Sequence, residues 1–402
     1  MPLRALALWM MVLALVCAIE ARHAHAISTT DFLASLSETE VDEFQAWKAA
    51  RSKFEGQLDA YWDAVEGKRQ ERKKKRNAKI RFDASDYVMS FPPSYKGPSL
   101  SSELAKKYDR FLDEQQKAYP APSKELATIP DYLDAAKRVY NFTPERLSEK
   151  EFKLRYAEEA AALGLSKDQV VRVYALETGG IGTYDMQAGI HPIKKTGHAI
   201  SSALGYAQLL DANSVNELAR SGATFIARLE QKLRNPNNTP ERTASLKRKI
   251  AVLRKMYANC KRVPFEWDQH QAYAKTLEGM GVHTINIDGD IGPVLQAMKL
   301  KTLKDIAEQQ GRPSLSGAEI ELMNLAGPVT GLEMMQPPGS MAPTPNFFAR
   351  RAYYVNKMVI GLNGAALQAE LDRRMTEAIT TPGSEEFAEA FDAVASRRAA
   401  GR

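Results

Sequence analysis

The sequence predicts a mainly α protein with one small β excursion, on three observations. Apolar residues recur at helical spacing through most of the 402 residues. Capping signatures, Ser followed three residues on by Glu or Gln, stand at several helix starts. Strand signals are sparse. They are limited to Thr284-Ile285-Asn286-Ile287 before Asp288-Gly289, and to a hairpin between Asp185 and His198.

The N-terminus is set apart first. Arg4 precedes one apolar run from Ala5 to Ile19, too short for a bilayer span of about 20 residues. Ala24-His25-Ala26 follows as an A-x-A cleavage site. Together these predict a secretory signal peptide over residues 1–26, cleaved after Ala26, and a periplasmic or secreted chain without a transmembrane span. Its removal takes Cys17 and leaves Cys260 alone, which excludes an internal disulfide and a cysteine-built zinc site. Hydrophobic residues at 44% and charged residues at 26% exclude wholesale disorder. The net charge of +6 suits an anionic polymer such as a cell wall. Nucleic acid is not expected for an exported chain.

The elements then follow in order. Ser37 with Glu40 caps a helix whose stripe is Phe44, Trp47, Phe54, Leu58, Tyr61, Trp62 and Val65. After Gly67 comes a basic run, Lys68 to Arg76, read either as a polyanion contact or as a solvated helix end. Phe91 to Pro98 breaks the helix. A second helix runs from Ser102 to Tyr119, and Pro120-Ala121-Pro122-Ser123 ends it. These elements make a helical N-terminal region over 27–125, whose aromatic stripe suits a wall or envelope protein partner. A denser domain spans 126–375, followed by a tail over 376–402. Within the domain, Thr143-Pro144-Glu145 and Thr239-Pro240-Glu241 read as helix starts. Ser148 with Glu151 and Ser166 with Gln169 read as capping boxes, and 241–259 as a long charged helix.

Chemistry points to Glu177. The helix opened by Ser166 runs through Val170, Val171, Val173, Tyr174 and Leu176 and stops at Gly179-Gly180. Glu177 thus sits in the last turn, where the helix dipole and partial burial both favour the protonated form. A carboxyl with raised pKa is what a general acid needs near neutral pH. The two glycines leave room for an extended ligand. The competing reading is a surface Glu at a helix end.

Three motifs follow in order: Gly205-Tyr206-Ala207-Gln208, Asn324-Leu325-Ala326-Gly327 and Tyr354-Val355-Asn356-Lys357-Met358. With Glu177-Thr178 they resemble the lysozyme-like lytic transglycosylases, the soluble and membrane-bound murein enzymes of goose-lysozyme type. The resemblance covers about residues 160–362. It departs from the family pattern at Thr178, Tyr206-Ala207 and Met323, and residues 184–199 read as an inserted loop. It implies a lysozyme-like fold for the domain, peptidoglycan glycan strands as the partner, and cleavage of the MurNAc–GlcNAc β-1,4 bond. Glu177 would act as acid and then as base, giving a 1,6-anhydro product without a cofactor or metal. Thr178, Gly205, Tyr206, Gln208, Asn324 and Tyr354 would contact or brace substrate, with Tyr353 a competitor for the role of Tyr354. Gln208 has a second reading, locking its loop.

Asp185 is a possible second carboxylate, and its entry into the groove would favour lysozyme-type hydrolysis. A wall-binding scaffold without activity is the third reading. Asp288-Gly289-Asp290 begins like a calcium loop, but Lys299 falls where the closing Glu belongs. The histidines show no paired metal spacing.

Overall fold

The computed structural model describes residues 28–119 and 126–400. The expected signal peptide and the stop at 120–123 lie outside the described residues. The described chain is mainly helical, and its β structure is confined to isolated bridges. Among the described residues no helix is long and apolar enough to cross a membrane. The chain divides into two compact units.

The first unit holds residues 28–67 and 90–119. It contains α1 (Thr29–Ala34), α2 (Glu38–Asn77) as far as Gly67, and α3 (Ser102–Ala118). The predicted Ser37–Glu40 box is present, with the Ser37 amide donating to Glu40 at 2.9 Å. The helical stripe explains the packing: Phe32, Phe44 and Leu104 are buried together, flanked by Trp47, Tyr108 and Phe111. Lys107 of α3 reaches Glu40 at 2.7 Å.

The second unit takes residues 68–89 and 126–400. The basic run is neither a loop nor fully solvated, because α2 continues through Gly67. Arg72 is 2% exposed and pairs with Glu333 at 2.8 Å. Then come α4 (Ile129–Tyr140), α5 (Glu149–Ala162), α6 (Lys167–Thr178), α7 (Asp211–Leu233), α8 (Pro240–Lys261), α9 (Trp267–Ala274) and α10 (Leu277–His283). After them follow α11 (Ile291–Gln309), α12 (Gly317–Ala326), α13 (Pro328–Met334), α14 (Arg350–Val355), α15 (Gly364–Ala378) and α16 (Pro382–Ala400). Helix α7 packs on α8, α10 on α4, α16 on α5 and α6, and α12 on α6 and α15.

Three expectations are corrected here. Thr143-Pro144-Glu145 does not start a helix. The Glu145 amide donates instead to Asp288 Oδ2 at 2.8 Å, which holds this segment extended until Ser148 caps α5. Thr284–Ile287 is a 3-10 turn and not a strand. All four residues are buried among helices, so with no neighbouring strand the backbone closes locally, Asp288 donating to Ile285. Residues beyond 375 are not a tail. Helix α16 buries Phe387, Phe391 and Val394 at helical spacing. Phe387 joins Phe152, Tyr156, Tyr174 and Tyr206 in an aromatic cluster, with the Tyr174 and Tyr206 ring centres 4.8 Å apart.

Candidate active site

Two packed helices bring the site together. Helix α6 opens on the Ser166–Gln169 box and closes on Gly179 in the left-handed region, at φ +61°. This leaves Glu177 one residue before the helix end, the residue partly buried and its carboxyl turned toward α12. Helix α12 opens on a Ser316–Glu319 box and presents Glu321 and Asn324, three residues apart, on one face. Asn324 Nδ2 donates to Glu177 Oε1 at 3.3 Å and to Glu321 Oε1 at 3.5 Å. Of the residues the sequence singled out, Glu177 and Asn324 therefore meet. Glu321 is the residue that sequence reasoning missed.

The two carboxyls are in hydrogen-bond contact. Burial pushes Glu177 up to about 7, against the hydrogen bonds from Glu321 and Asn324, which favour its ionised form. Glu321 is buried at 2% exposure. Burial and then the neighbouring Glu177 charge hold its carboxyl well above the usual range, with Lys299 pulling the other way. Among the described residues no N–H or hydroxyl donates to Glu321 Oε2, which suits it to carry the proton. Glu177 therefore ionises first, and a protonated Glu321 donates to the carboxylate that forms.

The other expected site residues divide. Thr178 is buried and its hydroxyl donates back to Tyr174 O at 2.6 Å, so it is a helix-end brace and not a ligand contact. Tyr206 is 1% exposed, and its hydroxyl donates to Glu149, so it belongs to the core beneath α6. Gly205, at φ +74°, allows a tight turn in which a Cβ would strike Gln296. Gln208 also has a positive φ, and its Nε2 donates to Gly205 O at 2.8 Å, locking its own turn. Tyr353 is buried and its hydroxyl accepts from the Gly361 amide, whereas Tyr354 is exposed.

Asp185 is held elsewhere. It pairs with Arg146 and with Lys195 at 3.2 Å, and accepts from Thr183 at 2.7 Å. Burial alone would raise its pKa, but these three partners together lower it. Beside it opens an apolar cleft of about 400 Å³ lined by Ile129, Pro130, Met186 and Ile190.

The expected room after Glu177 is only half present. Gly179 is open, but a Cβ on Gly180 would lie 1.8 Å from Thr381 Oγ1, because the start of α16 docks there. Comparison of the chain with protein-family models gave no match, and comparison with curated proteins and with solved structures gave none either.

Proposed function

We propose that the chain is an exported peptidoglycan lytic transglycosylase of lysozyme-like fold, with Glu177 as its single acid and base. One observation carries the reading. Burial holds a carboxyl at a helix end protonated to near neutral pH beside a second, more basic carboxyl and an amide. Glu177 would protonate the glycosidic oxygen. Asn324 and the Glu321 hydroxyl then stabilise the resulting carboxylate until it takes the proton from the MurNAc 6-hydroxyl. Glu321 does not serve as the second carboxylate of a glycosidase. Such pairs stand about 5 Å or more apart to flank a sugar, and these two touch. Asp185, ion-paired to Arg146 and Lys195, lends the hydrolytic reading no support.

The test is mass spectrometry of products from purified peptidoglycan. The expected result is anhydro-muropeptides, lost in Glu177→Gln. Reducing-end products would replace this reading by hydrolysis, and sacculus binding without release would replace it by a scaffold. Glu321→Leu removes a donor to the Glu177 carboxylate, a bond worth about 1.5–3 kcal/mol. The alkaline limb of the rate profile is then expected to move up by about one to two pH units. An unmoved limb would remove Glu321 from the mechanism.

A further inference from the structure

We propose that the turn closing α2 is a docking site for the surface of an anionic phospholipid bilayer. The cations of the basic run and of the turn that follows it are split by the fold into two sets. Arg69 donates to the carbonyls of Pro345 and Phe348, Arg72 and Arg76 hold Glu333, and Lys75 holds Asp86. These cations are part of the scaffold. Lys73, Lys74, Lys79 and Arg81 are exposed, and no ion pair engages them among the described residues.

The second set is placed by geometry. Lys79 takes the left-handed region at φ +55° and ends the helix. Its amide bonds Arg76 O at 3.0 Å and the next amide, of Ile80, bonds Lys75 O at 2.8 Å. The turn is therefore fixed, and it holds Ile80 out at 55% exposure between two free cations. Lys79, Ile80 and Arg81 themselves line a cleft of about 450 Å³, together with Phe82 and Val329, the last 45% exposed. The neighbouring acids are already engaged: Glu333 by Arg72, Arg76 and Tyr87, Asp86 by Lys75, Asp83 by Lys75 at 3.7 Å, and Glu71 by Lys68.

An apolar tip ringed by unpaired cations fits an interface of phosphate headgroups over acyl chains. A soluble polyanion would meet the cations but has nothing to offer Ile80. The reading is independent of the glycan chemistry, because none of these residues belongs to the Glu177 site.

The test is flotation of the full chain with vesicles of phosphatidylglycerol in phosphatidylcholine, and of phosphatidylcholine alone. Every variant keeps the same N-terminus, so residues 5–19 contribute equally and differences isolate the turn. Each cation near an anionic surface contributes about 1 kcal/mol, or roughly fivefold. Lys79→Gln with Arg81→Gln is expected to weaken partitioning into anionic vesicles by about 25-fold and to leave neutral vesicles unaffected. Ile80→Ser is expected to weaken it severalfold even at high salt, where the charge effect is screened. Lys79→Arg with Arg81→Lys, which keeps the charge, is expected to bind as the parent does. Parental binding by the glutamine variant would overturn the proposal. So would full competition by soluble polyphosphate with Ile80→Ser unchanged, which would make the site a polyanion groove.

Discussion

At Glu177 the surroundings that keep the carboxyl protonated also make its ionisation unfavourable for folding. Its pKa rises from an ordinary 4.5 to about 7 in the folded chain. Below pH 4.5 both folded and unfolded states hold the proton, and the group costs nothing. As the pH rises through 7 the unfolded chain gains more from ionising, and roughly 3 kcal/mol of stability is lost. Glu177→Gln carries no such titration. It is expected to be more stable than the parent at pH 8 by up to roughly 3 kcal/mol, with the difference vanishing near pH 4, as read from urea midpoints. Equal stability at both pH values would mean that Glu177 titrates normally. Glu177 was legible in the sequence because a helix stop fixes the end of α6 within a residue. Glu321 was not, because a Glu inside a helix reads as a solvated face. Only the docking of α12 on α6 buries it. Its signal was its place three residues before Asn324 among Ile320, Leu322 and Met323.

At the scale of elements, the sequence marks where helices begin more surely than what they touch. Ser166, Thr239 and Ser316 each cap as their side chains dictate. Thr143-Pro144 carries the same local signal and fails, because Asp288, far along the chain, claims the Glu145 amide. The docking of α16 is equally non-local. Gly180 lies at φ +67°, and its carbonyl accepts from Thr381 Oγ1 at 3.1 Å. Thr381 also accepts from the Ser384 amide at the start of α16, through its own carbonyl. A side chain at position 180 therefore meets both backbone strain and a filled space. Gly180→Ala is expected to destabilise by about 1–3 kcal/mol in thermal unfolding. Adding Thr381→Ala is expected to recover only part of the loss, since Ser384 Oγ and the Cβ at 381 still stand 2.8 Å from the new methyl and the strain at φ +67° remains. Full recovery in the double variant would show that the backbone there relaxes freely.

At the scale of the second unit, buried charge joins segments that the sequence leaves far apart. Asp290 is fully buried and holds Arg155 at 3.0 Å, Arg242 at 2.7 Å and Lys249 at 2.7 Å. These cations come from α5 and α8, and Asp290 precedes α11. Burial by itself would raise the Asp290 pKa. Arg242, Lys249 and Lys232 overcome it and hold the carboxyl far below the carboxylate range. Its contribution is therefore present above an ordinary pKa of about 4 and is lost as the pH falls below it. His283 acts earlier on the acid side. It is buried, with Nδ1 on Ser214 Oγ at 2.8 Å and Nε2 on Ser202 O at 2.7 Å, and burial lowers it to about 4. As the pH falls from 6.5 to 4 the unfolded chain takes up a proton that the folded chain refuses, at a cost of roughly 3 kcal/mol. Acid unfolding should then proceed in two stages. Asp290→Asn leaves several cations without their shared counter-charge, a loss of about 3–5 kcal/mol at pH 7. In urea titrations the parent and variant curves are expected to run parallel from pH 6.5 to 4, where only His283 titrates of the two groups. They are expected to converge below pH 4, where the parent loses the same charge. A gap that stays constant below pH 4 would mean that Asp290 titrates as an ordinary carboxylate, with no net stabilisation from the cations around it.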